Sequence, residues 1–322
     1  MYLDKKLIFL SGSTGLVGSS IMKYLLDNYP TTRIRASFYE HTKPFIKHDR
    51  VEYVYGDLGL RKDCKRISEG CDCAIMAAAY SGGSNVFTSE PWKHVTNNVT
   101  MSSQQLEAFY FNNIKRVVYI SSAILYQDLE KYVKEDNLDL NIDPHPAYFG
   151  MGWVQRFAEK LCKFWHNEYG MEILVLRAAN IFGPYAKFDP QTSNFIPALI
   201  RKAVDKEDPF EVWGTPDVTR DVIYSEDFAR AIAMILDNDK IKFDTFNIGS
   251  GVQTTVRDVV GWALKYAGHK PLMIKYNSDR PTTSKFRALD CLKAMKMFGW
   301  QPKYGIEEGI KKTTEWWIKN RN

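Results

Sequence analysis

Residues 11–18 read Ser11-Gly12-Ser13-Thr14-Gly15-Leu16-Val17-Gly18, directly after an apolar run that predicts a β-strand over Lys6–Ser11. A helical pattern begins at Val17, so the three glycines lie in the first strand-to-helix turn. Such a turn needs small residues for its tight backbone, for the approach of a pyrophosphate and for helix–sheet packing. The helix N-terminus adds free N–H groups for phosphates. We therefore predict that a dinucleotide binds at Gly12, Ser13, Thr14, Gly15, Leu16, Val17 and Gly18.

Strand and helix patterns alternate through the first half of the chain, which is typical of a parallel sheet covered by helices. The later predicted strands are Arg33–Tyr39, Val51–Tyr55, Asp72–Ala77, Arg116–Ser121 and Glu172–Arg177. The predicted helices between them are Val17–Asn28, Trp92–Phe111 and Tyr148–Glu168.

Beyond about residue 180 the segments become shorter and turn signals more frequent, as at Gly183-Pro184 and Gly249-Ser250-Gly251. The fold class is therefore predicted as α/β, a doubly wound parallel Rossmann sheet with a smaller C-terminal α/β substrate-binding lobe. Residues 1–180 are expected to form the dinucleotide-binding domain, rejoined at about 220–250, and residues 181–322 mainly the lobe. Further helices are predicted at Phe195–Val204, Ser225–Leu236, Thr255–Ala267, Leu292–Phe298 and Ile306–Lys319.

The composition is that of a globular protein, with 45% hydrophobic and 25% charged residues in 322. The net charge of +5 is spread among acids without a basic helix, so we expect no nucleic-acid partner. No apolar run is long enough for a signal peptide or membrane span, and a cytoplasmic location is expected. Five cysteines without a paired framework or a histidine cluster predict buried thiols and no metal site.

Two further segments bear on the cofactor. Asp57 and Leu58 follow the third predicted strand, where a carboxylate can bind the adenine amino group, although a plain surface turn explains them equally well. Tyr39 ends the second strand without the acid that holds the 2′-hydroxyl of NAD or an arginine for the phosphate of NADP. Glu40 can hold the 2′-hydroxyl only if the register of the second strand shifts by a residue or two. The glycine turn also lacks a basic residue, which favours NAD, with NADP as the alternative.

Together these segments resemble the extended short-chain dehydrogenases/reductases that act on nucleotide sugars, most closely the GDP-fucose synthase group. The likeness runs almost end to end. Besides the glycine turn it covers Ala77-Ala78-Ala79, Asn98-Val99, Ser121-Ser122, Tyr148, Leu176–Pro184, Asn194–Leu199, Val212-Trp213-Gly214, Arg220-Asp221, Arg280-Pro281 and Gly299–Pro302.

The resemblance implies a role for each matching residue. Ser122 would hydrogen-bond the reacting sugar oxygen, Tyr148 would exchange its proton beside the cofactor, and Asn98 would hold the helix and a water. Ala77, Ala78 and Ala79 would line the cofactor. The forked donors of arginine suit phosphate oxygens, although surface ion pairs explain them too. The nucleotide and its diphosphate would lie among Asn180, Asn194, Arg220 and Arg280.

One departure concerns the Tyr-x-x-x-Lys pair of the family, in which the lysine charge assists the tyrosine and holds the nicotinamide ribose. Counted from Tyr148, the lysine position holds Gly152. Arg156 lies two helical turns from Tyr148 and is too distant to replace it. We hypothesise that the charge of oxidised nicotinamide compensates, so that the enzyme works mainly in the oxidation direction, or slowly.

Other departures narrow the reaction. Ala123-Ile124-Leu125 offers no proton donor where related dehydratases carry an Asp-Glu pair, and the Cys and His used for C3/C5 epimerisation are absent, the latter replaced by Asn194. Hydride transfer at one sugar carbon remains, expected at C4 of a GDP-linked sugar. A C4-epimerase is the alternative. A catalytically impaired cofactor-binding protein is the alternative of another class.

Relatives in the family commonly pair through two helices, which here correspond to Trp92–Phe111 and Tyr148–Glu168. The second helix has more apolar side chains than one core face needs, although a core role alone explains them equally well. We expect a homodimer or homotetramer formed through both helices. The side chains concerned are Trp153, Phe157, Leu161, Phe164 and Trp165.

Overall fold

Parallel strands form the centre of the molecule. The computed structural model describes residues 1–39, 43–81, 90–129, 132–278 and 288–321. Its strands are β1 Leu7–Ser11, β2 Arg33–Phe38, β3 Val51–Tyr55, β4 Cys73–Met76, β5 Arg116–Ser122, β6 Tyr132–Val133, β7 Glu172–Ala178, β8 Asn180–Phe182, β9 Phe210–Trp213, β10 Thr219–Arg220, β11 Val222–Tyr224, β12 Phe243–Ile248, β13 Thr254–Thr255, β14 Ile274–Asn277 and β15 Ala288–Leu289.

Nine helices are described along the chain, most of them between strands. In the described residues they are α1 Leu16–Asn28, α2 Arg61–Ser68, α3 Pro91–Phe111, α4 Phe149–Tyr169, α5 Phe195–Val204, α6 Ser225–Asp237, α7 Val256–Ala267, α8 Leu292–Phe298 and α9 Ile306–Asn320. Three short 3₁₀ turns cover Ala123–Leu125, Glu135–Asn137 and Pro146–Tyr148.

The central sheet has seven parallel strands in the order β12-β7-β5-β4-β1-β2-β3. The direction in which strands are added reverses between β1 and β4, and ligands of such sheets bind outside the carboxyl ends of the strands at that point. Helices α1 and α6 cover one face, and α3 and α4 cover the other. The predicted doubly wound sheet is thereby confirmed.

The C-terminal part has a separate apolar core beneath α5, α7 and α9. Its strands are short and pair in twos, as β9 does with β14 and β10 with β13. These observations confirm the predicted smaller α/β lobe. Strand β12 pairs with β7 and extends the central sheet.

Two local predictions were wrong or incomplete. Helix α2 was not predicted because it is mostly charged and buries only Cys64, Ile67 and Ser68, too few for a periodic apolar pattern. Tyr148 was expected to open a helix, but it ends a 3₁₀ turn, and α4 begins at Phe149. His145 caps that turn, because its Nδ1 accepts the Ala147 N–H at 3.2 Å.

All five cysteines are free, and four of them are buried. Burial raises the pKa of Cys64 to about 12 and that of Cys71 to about 11. Thiols of this kind are poor nucleophiles near neutral pH, because the thiolate is the reactive form. The predicted role as buried thiols agrees with these surroundings.

Candidate active site

The three glycines of the first turn have different surroundings. A Cβ on Gly12, whose φ is +67°, would lie 2.7 Å from the Ala78 nitrogen, and one on Gly18 would collide with the Gly12 carbonyl. Gly15 has only the Gly12 oxygen near its missing Cβ, at 3.6 Å, and it immediately precedes α1. Gly12 and Gly18 are thus required by packing, while Gly15 leaves an open approach to the helix N-terminus. This cradle fits the pyrophosphate of a dinucleotide.

The segment after β4 is fixed beside this turn. Ser11 Oγ accepts the N–H groups of Ala77 and Ala78 at 3.2 Å each. The buried Asn98 amide accepts the Tyr80 N–H at 2.9 Å and donates to the Tyr80 carbonyl at 3.0 Å. Asn98 therefore positions the backbone that follows the alanines, and a role in catalysis remains a prediction.

Four of the predicted site residues line one cleft at the carboxyl edge of the sheet, namely Ser122, Tyr148, Asn180 and Arg220. Ser122 ends β5, and its Oγ accepts the Ile124 N–H at 3.4 Å, so its hydroxyl hydrogen can turn toward the cleft. Tyr148 reaches the cleft from the 3₁₀ turn before α4. The cleft thus combines a hydroxyl, a phenol, an amide and a guanidinium, groups suited to a polar, anionic ligand.

Asp221 was missed as a site residue, although it lines the same cleft. Its buried carboxylate accepts the Ser250 N–H and hydroxyl, both at 2.8 Å, and the Leu289 N–H at 2.9 Å. Burial raises its pKa, while these hydrogen bonds favour the ionised form. Asp221 therefore anchors a glycine-rich loop and β15 at the cleft. In the sequence, only the adjacent Arg220 could have pointed to Asp221 as a site residue, because the hydrogen-bond partners of Asp221 are distant along the chain.

Other predicted site residues lie elsewhere. Asn194 is exposed just before α5 and does not line the cleft, and Arg280, like Glu40, lies outside the described residues. Asp57 Oδ1 accepts the Gly59 N–H at 2.8 Å and closes a turn, with Leu58 buried beside it. Binding of adenine by Asp57 and Leu58 remains a prediction.

The position expected for a lysine is occupied by another part of the chain. A Cβ on Gly152 would lie 2.5 Å from Pro144 Cβ and Cγ and 3.1 Å from the Ile124 carbonyl. Arg156 holds this arrangement, since it donates to the Leu125 carbonyl at 2.8 Å and to the Ile142 carbonyl at 2.7 Å. A lysine at 152 has no room unless the loop that contains Pro144 moves. The Arg156 guanidinium is already hydrogen-bonded to these backbone carbonyls.

The face of α4 toward β5 carries residues one helical turn apart. Met151 Sδ lies 3.7 Å from Asn98 Nδ2, and Gln155 accepts the Tyr119 hydroxyl at 2.8 Å. Glu159 accepts the Ser121 hydroxyl at 2.6 Å. Met151 and Gln155 thus have the one-turn spacing of the Tyr-x-x-x-Lys pair, but neither side chain titrates. The role of Tyr148, which precedes this face, in proton exchange remains a prediction.

The family model described as the NAD dependent epimerase/dehydratase family matches residues 8–249. A GDP-L-fucose synthase of Sinorhizobium fredii is 26% identical over 99% of this chain and 98% of that protein. A GDP-mannose 3,5-epimerase of Arabidopsis thaliana is 27% identical over 98% of this chain and 82% of that protein. These matches confirm the resemblance drawn from the glycine turn and the motifs that follow it.

Solved structures share the fold. The UDP-glucose 4-epimerase of Thermotoga maritima, crystallised with UDP-glucose, has a TM-score of 0.85 at 23% identity, covering 98% of this chain and 100% of that one. The UDP-glucose 4-epimerase of Thermus thermophilus, in complex with NAD, has a TM-score of 0.84 at 21% identity, covering 98% and 99%.

Two negative findings apply to the described part of the chain. None of its helices is both long and apolar enough to cross a membrane. Its His, Cys, Asp and Glu side chains nowhere form a group of three or more that could hold a metal ion.

Proposed function

The chain belongs to the NAD dependent epimerase/dehydratase family, and from this membership and the cleft we propose an NAD(P)-dependent nucleotide-sugar oxidoreductase. It transfers a hydride at one carbon of the sugar, C4, and the sugar is GDP-linked. NAD is the favoured cofactor, and the enzyme works mainly in the direction of sugar oxidation. We expect the protein to act in the cytoplasm. The observation that carries the proposal is the cleft shared by Ser122, Tyr148, Asn180 and Arg220, on the sheet edge that holds the glycine turn.

Each group in the cleft has a task in this reaction. A bound nicotinamide supplies the hydride acceptor or donor. Ser122 donates a hydrogen bond to the reacting sugar oxygen, and Tyr148, in its phenolate form, takes the proton from that oxygen as the alcohol becomes a ketone. The planar fork of Arg220 binds diphosphate oxygens, and the amide of Asn180 contacts the nucleotide.

The residues after Ser122 support a reaction without elimination. Ala123 and Ile124 line the cleft, Leu125 is buried, and none of the three side chains can donate or accept a proton. Dehydration needs such a group beside C5 and C6 of the sugar, and C3/C5 epimerisation needs an acid and a base on opposite faces. Hydride transfer at a single carbon needs neither.

Mass spectrometry of small molecules released by denaturing the purified protein tests the ligands of this proposal. We expect a nicotinamide dinucleotide, and a co-purified sugar nucleotide would identify the base. A protein that releases no dinucleotide and also binds neither NAD⁺ nor NADP⁺ on titration would contradict the proposal.

A second candidate is a cofactor-binding protein that has lost catalysis. The observation that favours it is the α4 face, where Met151 and Gln155 carry no titratable group, together with the space at Gly152 that Pro144 fills. Such a protein would bind dinucleotide and sugar nucleotide but convert neither. Incubation of the protein with both ligands, followed by sugar analysis, separates the two candidates.

For the assembly we propose a homodimer through α3 and α4, with a homotetramer as the alternative. Both helices expose aromatic side chains, including Trp92, Phe111, Phe157 and Phe164. Tyr110, Trp165 and Tyr169 form a ring cluster where the two helices end, with centroids 4.7–5.4 Å apart. Two copies of this face would remove a large apolar area from water.

Replacing Phe157 by glutamate should shift the dimer to monomer, because a charge in an apolar helix interface is costly to bury. Light scattering coupled to size-exclusion chromatography measures the shift. Leu272→Glu, at a fully exposed apolar residue of the C-terminal lobe, is the matched control and should leave the mass unchanged. A wild-type protein that is monomeric at micromolar concentration would contradict the assembly.

A further inference from the structure

Two tyrosines form an exposed stack at the carboxyl edge of the sheet. The rings of Tyr39 and Tyr55 are 6.0 Å apart at an interplanar angle of 24°, and 45% and 54% of the two residues is exposed. Phe38 supports Tyr55 from the side, with centroids 5.8 Å apart at 70°. A contiguous patch of exposed aromatic rings is typical of a binding surface.

The stack adjoins the glycine turn through direct hydrogen bonds. Ser13, inside the turn, donates from Oγ to the Ser37 carbonyl at 2.8 Å and from its N–H to the same oxygen at 3.4 Å. Ser37 lies two residues before Tyr39, and its neighbour Phe38 is paired in register with Tyr55. The stack therefore lies next to the place where the pyrophosphate approaches, on the side of β2 and β3.

Up to Tyr39, where the described segment stops, the end of β2 also lacks the acid that usually binds the ribose. In many dinucleotide-binding sheets an acidic residue here holds the 2′-hydroxyl of NAD, whereas β2 ends with Phe38 followed by Tyr39. Both residues offer ring faces. A ring face binds a flat base by stacking, independently of any group on the ribose.

We propose that the Tyr39–Tyr55 stack is the platform for the adenine ring of the dinucleotide. The inference rests on the proposed function, which supplies the dinucleotide, and adds how its adenosine half is recognised. Stacking is common to NAD and NADP, so the platform strengthens both complexes by the same factor. Choice between the two cofactors is then made by groups other than these rings.

Titration calorimetry with NAD⁺, NADP⁺, ADP-ribose and nicotinamide mononucleotide tests the platform. Tyr39→Ala and Tyr55→Leu should each weaken the first three by about ten-fold, the effect expected for losing one stacked ring. The ratio of the NAD⁺ and NADP⁺ dissociation constants should stay the same, and binding of the mononucleotide should not change. Tyr39→Phe keeps the ring and should bind within about two-fold of wild type.

Tyr132→Ala is the matched control, since Tyr132 is equally exposed but lies on β6. Unchanged melting temperatures show that each variant is folded. Dinucleotide binding by both tyrosine variants at wild-type strength would overturn the platform while leaving the proposed function intact, as would a loss confined to NADP⁺. A wild-type protein that binds neither dinucleotide would overturn both.

Discussion

Tyr148→Phe should lower the turnover of the sugar nucleotide by about 10²–10⁴-fold, with cofactor affinity unchanged. In the described cleft, the proton acceptor of this account is the Tyr148 phenolate, whereas the Asp221 carboxylate is engaged with Ser250 and Leu289. Removing its oxygen leaves the ring and the 3₁₀ turn in place. The measurement is the steady-state rate at saturating substrate.

The control for this change is Tyr132→Phe, which removes a phenol oxygen from an exposed tyrosine outside the cleft. It should leave the rate unchanged. Wild-type turnover in Tyr148→Phe would place proton exchange on another group and would contradict the role given to the turn before α4.

Gly152→Lys should lower the free energy of unfolding by about 3 kcal/mol or more, because it overpacks a buried site and places a charge there. Even alanine adds a Cβ 2.5 Å from Pro144, so Gly152→Ala should cost about 1–3 kcal/mol. Gly261→Ala is the matched control. Its Cβ would enter open space on α7, and alanine there should be neutral or stabilising by about 0.5–1 kcal/mol. Urea denaturation measures all three.

Replacing both residues shows whether Pro144 causes the loss of stability in Gly152→Ala. Pro144→Gly combined with Gly152→Ala should recover much of the stability lost by Gly152→Ala, since the collision disappears. If Gly152→Ala is as stable as wild type, Pro144 does not occupy the lysine position in solution. The departure at Gly152 would then need another explanation.

The sheet could be predicted because the signal for each strand lies within its own short segment of sequence. All but β3 of the six predicted strands bury apolar residues, and the limits of all six agree with the structure to about a residue. The glycine turn could also be predicted from the sequence, because three glycines between a strand and a helix allow both close packing and the approach of a phosphate. Helix α2 lacked that signal, since charged residues form most of its length.

The cleft depended on contacts that no local pattern contains. The carboxylate of Asp221 meets Ser250 and Leu289, 29 and 68 residues away, so its role could not be deduced from its neighbours. Counting four residues from Tyr148 to Gly152 assumed that both lie in one helix. Tyr148 instead ends the 3₁₀ turn capped by His145 and directly precedes α4.

Hydride transfer is tested most directly by mixing the purified protein with NAD⁺ or NADP⁺ and a panel of GDP-, UDP- and dTDP-linked hexoses. Reduced cofactor and oxidised sugar nucleotide are then measured together. We predict that both accumulate in equal amounts, with a GDP-linked sugar as the substrate. Conversion of a sugar nucleotide without net reduction of the cofactor would contradict the account in favour of an epimerase, and absence of any conversion by a protein that binds the cofactor would favour a non-catalytic role.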